Sequence, residues 1–196
     1  MSARRSSGAR RPARAKRAPS AKKKVLRRSA RSTRATRSTR ATKRKAADPA
    51  RVAADLVHAI LAGEGVAHAE VGLAHGGDDV VRVLNKKYRG MDKATDILSF
   101  TYEDVRDPEG HRVLFGDLVV SVPRLLSQAK RYRVTPGREL ARLLTHGALH
   151  LCGHDHVKVR ERAVMRARER VHMDKLRDGS EAALTRLVRS WEREPN

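Results

Sequence analysis

Apolar residues recur three and four positions apart along most of the chain after residue 47, a spacing typical of amphipathic helices. This pattern predicts six helices. Their predicted extents are Pro49 to Gly63, Val80 to Arg89, Pro123 to about Tyr132, Pro136 through Leu151, Val157 to about Leu176, and a last helix that starts at Ser180 and carries Leu184, Leu187, Val188 and Trp191. Residues that begin and end helices support these limits. Asp48 and Thr135 each precede a proline, Ser180 is predicted to cap the last helix, and Gly63 and Gly90 are predicted to stop theirs.

Three shorter apolar runs predict strands instead. Residues 97–102 (ILSFTY) and 117–122 (DLVVSV) are rich in β-branched or aromatic side chains and lie between polar or glycine-rich turns, while residues 69–74 (AEVGLA) alternate only weakly. Helices combined with so few strands indicate an α+β fold, a small mixed β-sheet packed with about five or six helices.

Charge divides the chain into unlike parts. Residues 1–45 hold 19 of the 44 lysines and arginines and no acidic residue, whereas the other 151 residues carry 25 basic and 22 acidic side chains. We therefore expect a basic, disordered tail at residues 1–47, a globular domain at 48–178 and a C-terminal helical extension at 179–196. The tail is predicted to contact nucleic acid by electrostatic attraction. A solvated tail without a role and an organelle transit peptide remain alternatives.

The cysteine content and hydropathy bear on location. A single cysteine argues against a disulfide framework and fits a reducing compartment. The sequence has neither a secretory signal nor an apolar run of membrane-spanning length. We predict a cytoplasmic protein that does not contact membranes.

The eleven residues 146–156, HGALHLCGHDH, carry the clearest chemical signal. A spacing of four on a helix rotates a side chain by only about 40° and advances it ~6 Å, so His146 and His150 project from one face. Gly153 can take the left-handed conformation that ends a helix and turns the chain, which would bring His156 to a third corner. Three imidazoles with an open fourth position are typical of catalytic zinc, and we predict one zinc ion per chain.

Three neighbours of these histidines are assigned other roles. His154 is predicted to line the site without binding the metal. Asp155 is the nearby carboxylate able to orient a ligand imidazole or the attacking water, although it could also cap the next helix. Cys152 could be a soft ligand, but we expect a small buried apolar residue there.

The spacing HxxxHxxGxxH is also that of the metzincin proteases. Those enzymes carry a general-base glutamate after the first histidine, where this chain has Gly147. Without that carboxylate a peptide-bond hydrolase is disfavoured.

Three ordered blocks of the sequence together resemble the YbeY family of single-strand-specific endoribonucleases. They are LNKKYRGMDKATDILSF at residues 84–100, FGDLVVSV at 115–122 and HGALHLCGHDH at 146–156, and the resemblance spans about residues 50–177. It implies that His146, His150 and His156 bind the metal and that Arg89 is functionally required. It also implies action on ribosomal RNA near the 3′ end of the small-subunit RNA, and in ribosome quality control. Two positions depart from the family pattern: His154 replaces a tyrosine and Ala94 replaces a proline.

These observations predict a zinc-dependent endoribonuclease whose partners are ribosomal RNA and ribosomal subunits. We expect Arg89 and Asp155 to be catalytic, Arg89 by gripping phosphate oxygens, with Lys86 and Lys87 as weaker contacts to the RNA backbone. The general base stays open between Asp155, His154 and the metal-activated water. Because aromatic residues are few, we expect little stacking of bases. A nonenzymatic ribosome-assembly or nucleic-acid-binding factor with a structural metal is the main alternative, and a metzincin-like protease the lesser one.

Overall fold

The computed structural model describes residues 46–194, which form six helices and one three-stranded sheet. In chain order the elements are α1 (Pro49–Gly63), β1 (Val66–Gly76), α2 (Asp78–Arg89), β2 (Ile97–Arg106), β3 (Arg112–Ser121), α3 (Val122–Tyr132), α4 (Pro136–Leu151), α5 (Val159–Asp174) and α6 (Ser180–Trp191). The strand order is β1-β3-β2, with β1 parallel and β2 antiparallel to β3. The predicted α+β class with a small mixed sheet is confirmed. The basic segment 1–45 lies outside the described residues, so its disorder and its contact with nucleic acid stay predictions.

Most helix ends lie where the sequence predicts them. The Asp48 carboxylate accepts the Ala50 N–H at 3.1 Å and the Thr135 hydroxyl accepts the Arg138 N–H at 3.1 Å, so both N-caps are confirmed. Gly90 closes α2 with a φ of 70°. The prediction that Ser180 caps α6 is wrong, because Gly179 is the N-cap and Ser180 is the first helical residue.

The strands are longer than their own sequence pattern indicates. β1 pairs with β3 from Val66 to Gly76, well beyond the weakly alternating run at 69–74. Val122, predicted as the last strand residue, instead begins α3, since the Ser121 side chain accepts the Arg124 N–H and caps that helix. Helix α2 starts at Asp78, two residues before its predicted start, and α5 is two residues shorter than predicted at each end.

Both faces of the sheet are covered, in agreement with the alternation of side chains along β3. Leu118 and Val120 belong to the main core with α4, whereas Val119 packs on the other face with Val81 of α2. Val80, in the first turn of α2, is by contrast 41% exposed.

Helix α4 packs against β2, β3 and the helices α1, α3, α5 and α6. The apolar face of α6 (Leu184, Leu187, Val188 and Trp191) lies in the same core cluster as that of α4. The two helices approach so closely at Gly137 that a Cβ atom there would overlap the Glu181 carbonyl oxygen. The segment after residue 178 therefore contributes to the core of the domain that precedes it.

Among the described residues, no helix is both long and apolar enough to cross a membrane.

Candidate metal centre and its cleft

Three histidine side chains converge at the C-terminal end of α4. His146 and His150 share one helical face, and their Nε2 atoms lie 3.1 Å apart. Gly153, with a φ of 87°, turns the chain back so that His156 reaches the same point from the loop before α5. One ring nitrogen from each histidine lies within 4.8 Å of those of the other two. The convergence expected from the spacing is present.

The donor set fits a zinc ion by a simple geometric test. Zinc–nitrogen bonds of about 2.0–2.1 Å in a tetrahedron place neighbouring donor atoms roughly 3.3 Å apart. The observed separation of 3.1 Å between the His146 and His150 Nε2 atoms is close to that value. The ring of His156 is slightly farther away: its centroid lies 5.4 Å from that of His146 and 5.1 Å from that of His150, whereas the centroids of His146 and His150 are 4.6 Å apart. The pair on α4 is thus arranged as two ligands, with a third within reach.

A carboxylate that sequence reasoning missed holds the first of these imidazoles. His146 Nδ1 donates to Glu169 Oε1 of α5 at 2.7 Å, which leaves Nε2 directed toward His150. The hydrogen bond from His146 holds the pKa of Glu169 below its usual range. Asp155 was predicted to orient a ligand imidazole, and here Glu169 orients the ring of His146. No local motif marks it, because it lies 23 residues along the chain from His146.

The site favours a neutral imidazole and a neutral thiol. Burial, together with the neighbouring His146 and His156, lowers the pKa of His150 to about 4. His150 is therefore in the unprotonated form that can bind a metal at neutral pH. Burial raises the pKa of Cys152 to about 11, so the thiol stays protonated there and packs against the core. This agrees with its predicted role as an apolar residue.

Asp155 and His154 take different positions from those expected. The Asp155 carboxylate accepts the backbone N–H of His156 at 2.6 Å, and this hydrogen bond holds the pKa of Asp155 below its usual range. His154 is directed away from the cleft and donates from Nε2 to the buried carboxylate of Glu64 at 2.8 Å. The prediction that His154 lines the site is wrong. Asp155 thus forms its hydrogen bond with the backbone of the third histidine and not with an imidazole ring.

The histidines open into a cleft of about 1330 Å³ between the end of α2, the following loop, β2 and α4. Arg89 lines this cleft from the last turn of α2, and Lys93 lines it from the loop. Lys86 and Lys87, which were predicted to contact the RNA backbone, do not line the cleft. Lys86 is paired with Asp92 at 2.9 Å, and the ammonium of Lys87 lies over the Tyr88 ring. The cationic lining of the cleft therefore differs from that expected, apart from Arg89.

Comparison with known proteins bears on this arrangement. The family model described as endoribonuclease YbeY matches residues 35–177, which is more than half of the chain. The chain belongs to the YbeY family. Proteins named endoribonuclease YbeY are similar to it. The one from Desulforamulus reducens is 44% identical over 111 residues, covering 55% of this chain and 72% of that protein. The one from Anaeromyxobacter sp. is 38% identical over 144 residues, covering 70% and 73%. The one from Moorella thermoacetica is 43% identical over 122 residues, covering 58% and 78%.

The YbeY-family fold also explains why Gly147 stands where a metzincin has its glutamate. Gly147 faces the sheet rather than the cleft, and a Cβ atom there would lie 2.8 Å from both Ile97 Cδ1 and Leu118 Cδ2. Its carbonyl oxygen accepts a hydrogen bond from the Ser99 hydroxyl at 3.1 Å. A glutamate at position 147 would therefore clash with the core, so the protease alternative lacks both the base and the space for it.

Two carboxylates line the cleft of this YbeY-family chain, and neither was singled out from the sequence. Asp96 accepts hydrogen bonds from Gln128 and Thr95, and Asp117 accepts one from Tyr102. Burial opposes the ionisation of Asp96, but its hydrogen bonds outweigh this effect and hold its pKa below the usual range. Its long-range partner Gln128 is on α3, so only the folded chain places that amide beside it.

Proposed function

We propose that this chain is a metal-dependent endoribonuclease that cleaves single-stranded RNA. The observation that carries the proposal is the convergence of His146, His150 and His156 in a cleft that Arg89 also lines. Membership of a family whose relatives are named endoribonucleases supports it. We further propose that the substrate is ribosomal RNA, processed near the 3′ end of the small-subunit RNA, and that the protein acts in ribosome quality control in the cytoplasm.

We assign zinc to the three histidines, with one ion per chain. When bound, zinc would supply Lewis-acid polarisation of a phosphoryl oxygen and lower the pKa of a water molecule. Glu169 fixes the orientation of the His146 ring, and Asp155 holds the backbone at His156. A second group of possible ligands consists of His68, Asp107 and His111, but two of these three residues are exposed and none of them lines the cleft. We expect that group to bind zinc weakly at most.

Arg89 and Lys93 supply positive charge for the phosphodiester. Within residues 46–194 neither side chain has a carboxylate partner, whereas Arg82 and Arg124 are already paired with Asp92 and Asp78. A guanidinium presents donors that match two phosphate oxygens, so Arg89 can stabilise charge that develops in the transition state. We therefore keep Arg89 as a catalytic residue. Asp155, which we also predicted as catalytic, is proposed to act by positioning His156.

The basic tail at residues 1–45 is proposed to hold the protein on RNA or on ribosomal subunits. Nineteen positive charges without an acidic residue favour attraction to a polyanion. The tail is separate in sequence from the residues that form the cleft, so we assign it to binding rather than to cleavage.

Two variants of the full chain test the proposal. His146→Ala plus His150→Ala should lose the tightly bound zinc measured by elemental analysis, while His111→Ala, in the second group, should keep it. Unchanged zinc content in the double variant would contradict the zinc assignment. Arg89→Glu should abolish cleavage of a short single-stranded RNA and keep zinc content and folding, because it reverses charge at the phosphate. Activity within about twofold of wild type would remove Arg89 from the mechanism.

The nonenzymatic alternative is tested by a third variant. His150→Ala should abolish cleavage while the protein still associates with ribosomal subunits in sedimentation experiments. A nonenzymatic ribosome-assembly factor with a structural metal would have no cleavage activity to lose, so the substitution could change only its association with the subunits. Retained association with abolished cleavage therefore separates the two functions.

A further inference from the structure

Half of the aromatic residues of this chain line the cleft beside the histidines. The sequence has two Phe, three Tyr and one Trp, and three of these six (Tyr88, Phe100 and Tyr102) are in the cleft wall. We call these three residues the aromatic wall. Tyr88 is 58% exposed and Tyr102 is 64% exposed, although large aromatic side chains usually bury their rings. The expectation of little base stacking rested on the total number of aromatic residues, and the structure concentrates them at one place.

A bulge in β2 accounts for this concentration. Side chains of a regular strand alternate between faces, yet Phe100, Thr101 and Tyr102 all line the cleft. The pairing of β2 with β3 shifts between Thr101 and Glu103, which leaves Tyr102 as the extra residue of a bulge. Bulges redirect side chains in this way, often next to functional sites.

The rings are held in place by neighbouring groups. The Tyr102 hydroxyl donates to Asp117 Oδ2 at 2.5 Å, and the ring of Tyr88 packs edge-on against Phe100 with centroids 5.2 Å apart. Rings that are fixed yet exposed lose little conformational freedom when a planar ligand stacks on them. The exposed rings of Tyr88 and Tyr102 therefore form a surface for stacking, while Phe100 also packs against the core residues Leu98 and Val119.

Positive charge at the same cleft indicates the chemistry of the ligand. Arg89 follows Tyr88 directly in sequence, and Lys93 lines the cleft from the adjacent loop. A ligand that needs aromatic faces, a cationic group for phosphate and three imidazoles in one cleft is a nucleotide within a chain. An apolar peptide would leave these cations without partners, and inorganic phosphate would leave the rings without contact.

We propose that the aromatic wall stacks an unpaired base of single-stranded RNA next to the phosphodiester held at the histidines and Arg89. This inference rests on the proposed function and adds the part of the substrate that the wall recognises. A base in a duplex already stacks on both sides, and taking it out of the helix costs free energy. A wall that requires a free base face thus gives a structural reason to prefer single strands.

The test compares two forms of one short oligoribonucleotide, intact and with a single abasic residue placed at successive positions. Binding to the full chain is measured by fluorescence anisotropy with a metal chelator present, so that cleavage does not interfere. Both forms carry the same phosphates, so any contribution of the basic tail cancels in the comparison. We expect one or two abasic positions to weaken binding by roughly 5- to 150-fold, the range for the loss of one stacked base.

Variants identify the wall as the cause. Tyr88→Ala and Tyr102→Ala should weaken binding of the intact RNA by a similar factor and remove the penalty of the abasic residue. Tyr102→Phe keeps the ring and should stay within about twofold of wild type. Tyr132→Ala is the matched control, because Tyr132 is 55% exposed but lies outside the cleft. With the holoenzyme, the two alanine variants should raise KM for cleavage more than they lower kcat.

The outcomes separate this inference from the proposed function. An abasic RNA that binds as well as the intact RNA at every position would overturn the stacking proposal, even if cleavage is normal. An equal loss in Tyr132→Ala would also overturn it, since the effect would not belong to the wall. Stacking-dependent binding without any cleavage would instead contradict the nuclease function and leave the base-binding wall in place.

Discussion

Removal of the Glu169 carboxylate should weaken zinc binding although Glu169 is not itself one of the three ligands. Glu169 Oε1 accepts a hydrogen bond of 2.7 Å from His146 Nδ1, and both side chains are mostly buried, with 25% and 22% exposed. Partners of this kind fix the ring and raise its basicity, and their removal typically costs about 10- to 100-fold in metal affinity. The corresponding free energy is about 1.4–2.7 kcal/mol. We expect Glu169→Ala to lie in this range and Glu169→Gln, which keeps an acceptor oxygen without the charge, to show a smaller effect.

The assay is a competitive zinc titration of the full chain against a chromophoric chelator. Asp174→Asn is the matched control, since it removes a carboxylate from the exposed end of the same helix. Denaturant unfolding of the zinc-free proteins distinguishes a weakened metal site from a destabilised fold. Zinc affinity of Glu169→Ala within about twofold of wild type would show that the hydrogen bond does not support the metal site.

Three further predictions concern the core, pH and the tail. Gly147→Ala should lower the free energy of unfolding by about 1–3 kcal/mol, because the new methyl group must displace Ile97 and Leu118; an unchanged denaturation midpoint would contradict the close approach of α4 to the sheet. The pKa of Asp96 is depressed in the folded protein, so its ionised form should stabilise the fold above the unfolded carboxyl pKa of about 3.9, and this stabilisation should be lost as the pH falls through the lower folded pKa. The stability difference between wild type and Asp96→Asn, measured by denaturation from pH 7 to acid, should accordingly be constant near neutrality and shrink in acid, and a difference that grows in acid would refute this sign. Deletion of residues 1–45 should flatten the plot of log RNA affinity against log salt concentration, by about 0.7 in slope for each single-strand phosphate that the tail neutralises. Cleavage of a short RNA at saturating concentration should stay nearly unchanged. An unchanged slope would favour targeting or solvation as the role of the tail.

Local features of the chain are sufficient to predict most of its secondary structure and the metal-binding pair. A helix places residues four apart on one face whatever surrounds it, so the spacing of His146 and His150 already predicts two ligands on one side. Gly153 has the left-handed φ of 87° that the reversal toward His156 requires. Caps such as Asp48 and Thr135 act within three residues of themselves, which is why they could be read directly from the sequence.

The side-chain partners at the site that the sequence did not reveal depend on contacts between distant segments. Glu169 meets His146 across 23 positions, His154 meets Glu64 across 90, and Gln128 meets Asp96 across 32. Side chains that share a face of one element have a fixed spacing, but side chains on packed elements do not. Sequence reasoning therefore assigned the imidazole-holding carboxylate to the neighbouring Asp155 and placed His154 in the site.

The surroundings of the metal pair show the same division. The sequence determines that Arg89 ends α2 and that few aromatic residues exist, but not where the cleft opens. The β2 bulge, set by pairing with β3, directs Tyr102 into the wall beside Phe100. The close packing of α4 on the sheet leaves Gly147 no room for a side chain. Periodicity and capping act through the chain's own geometry, whereas the cleft results from packing, and only the tertiary structure decides which side chains meet there.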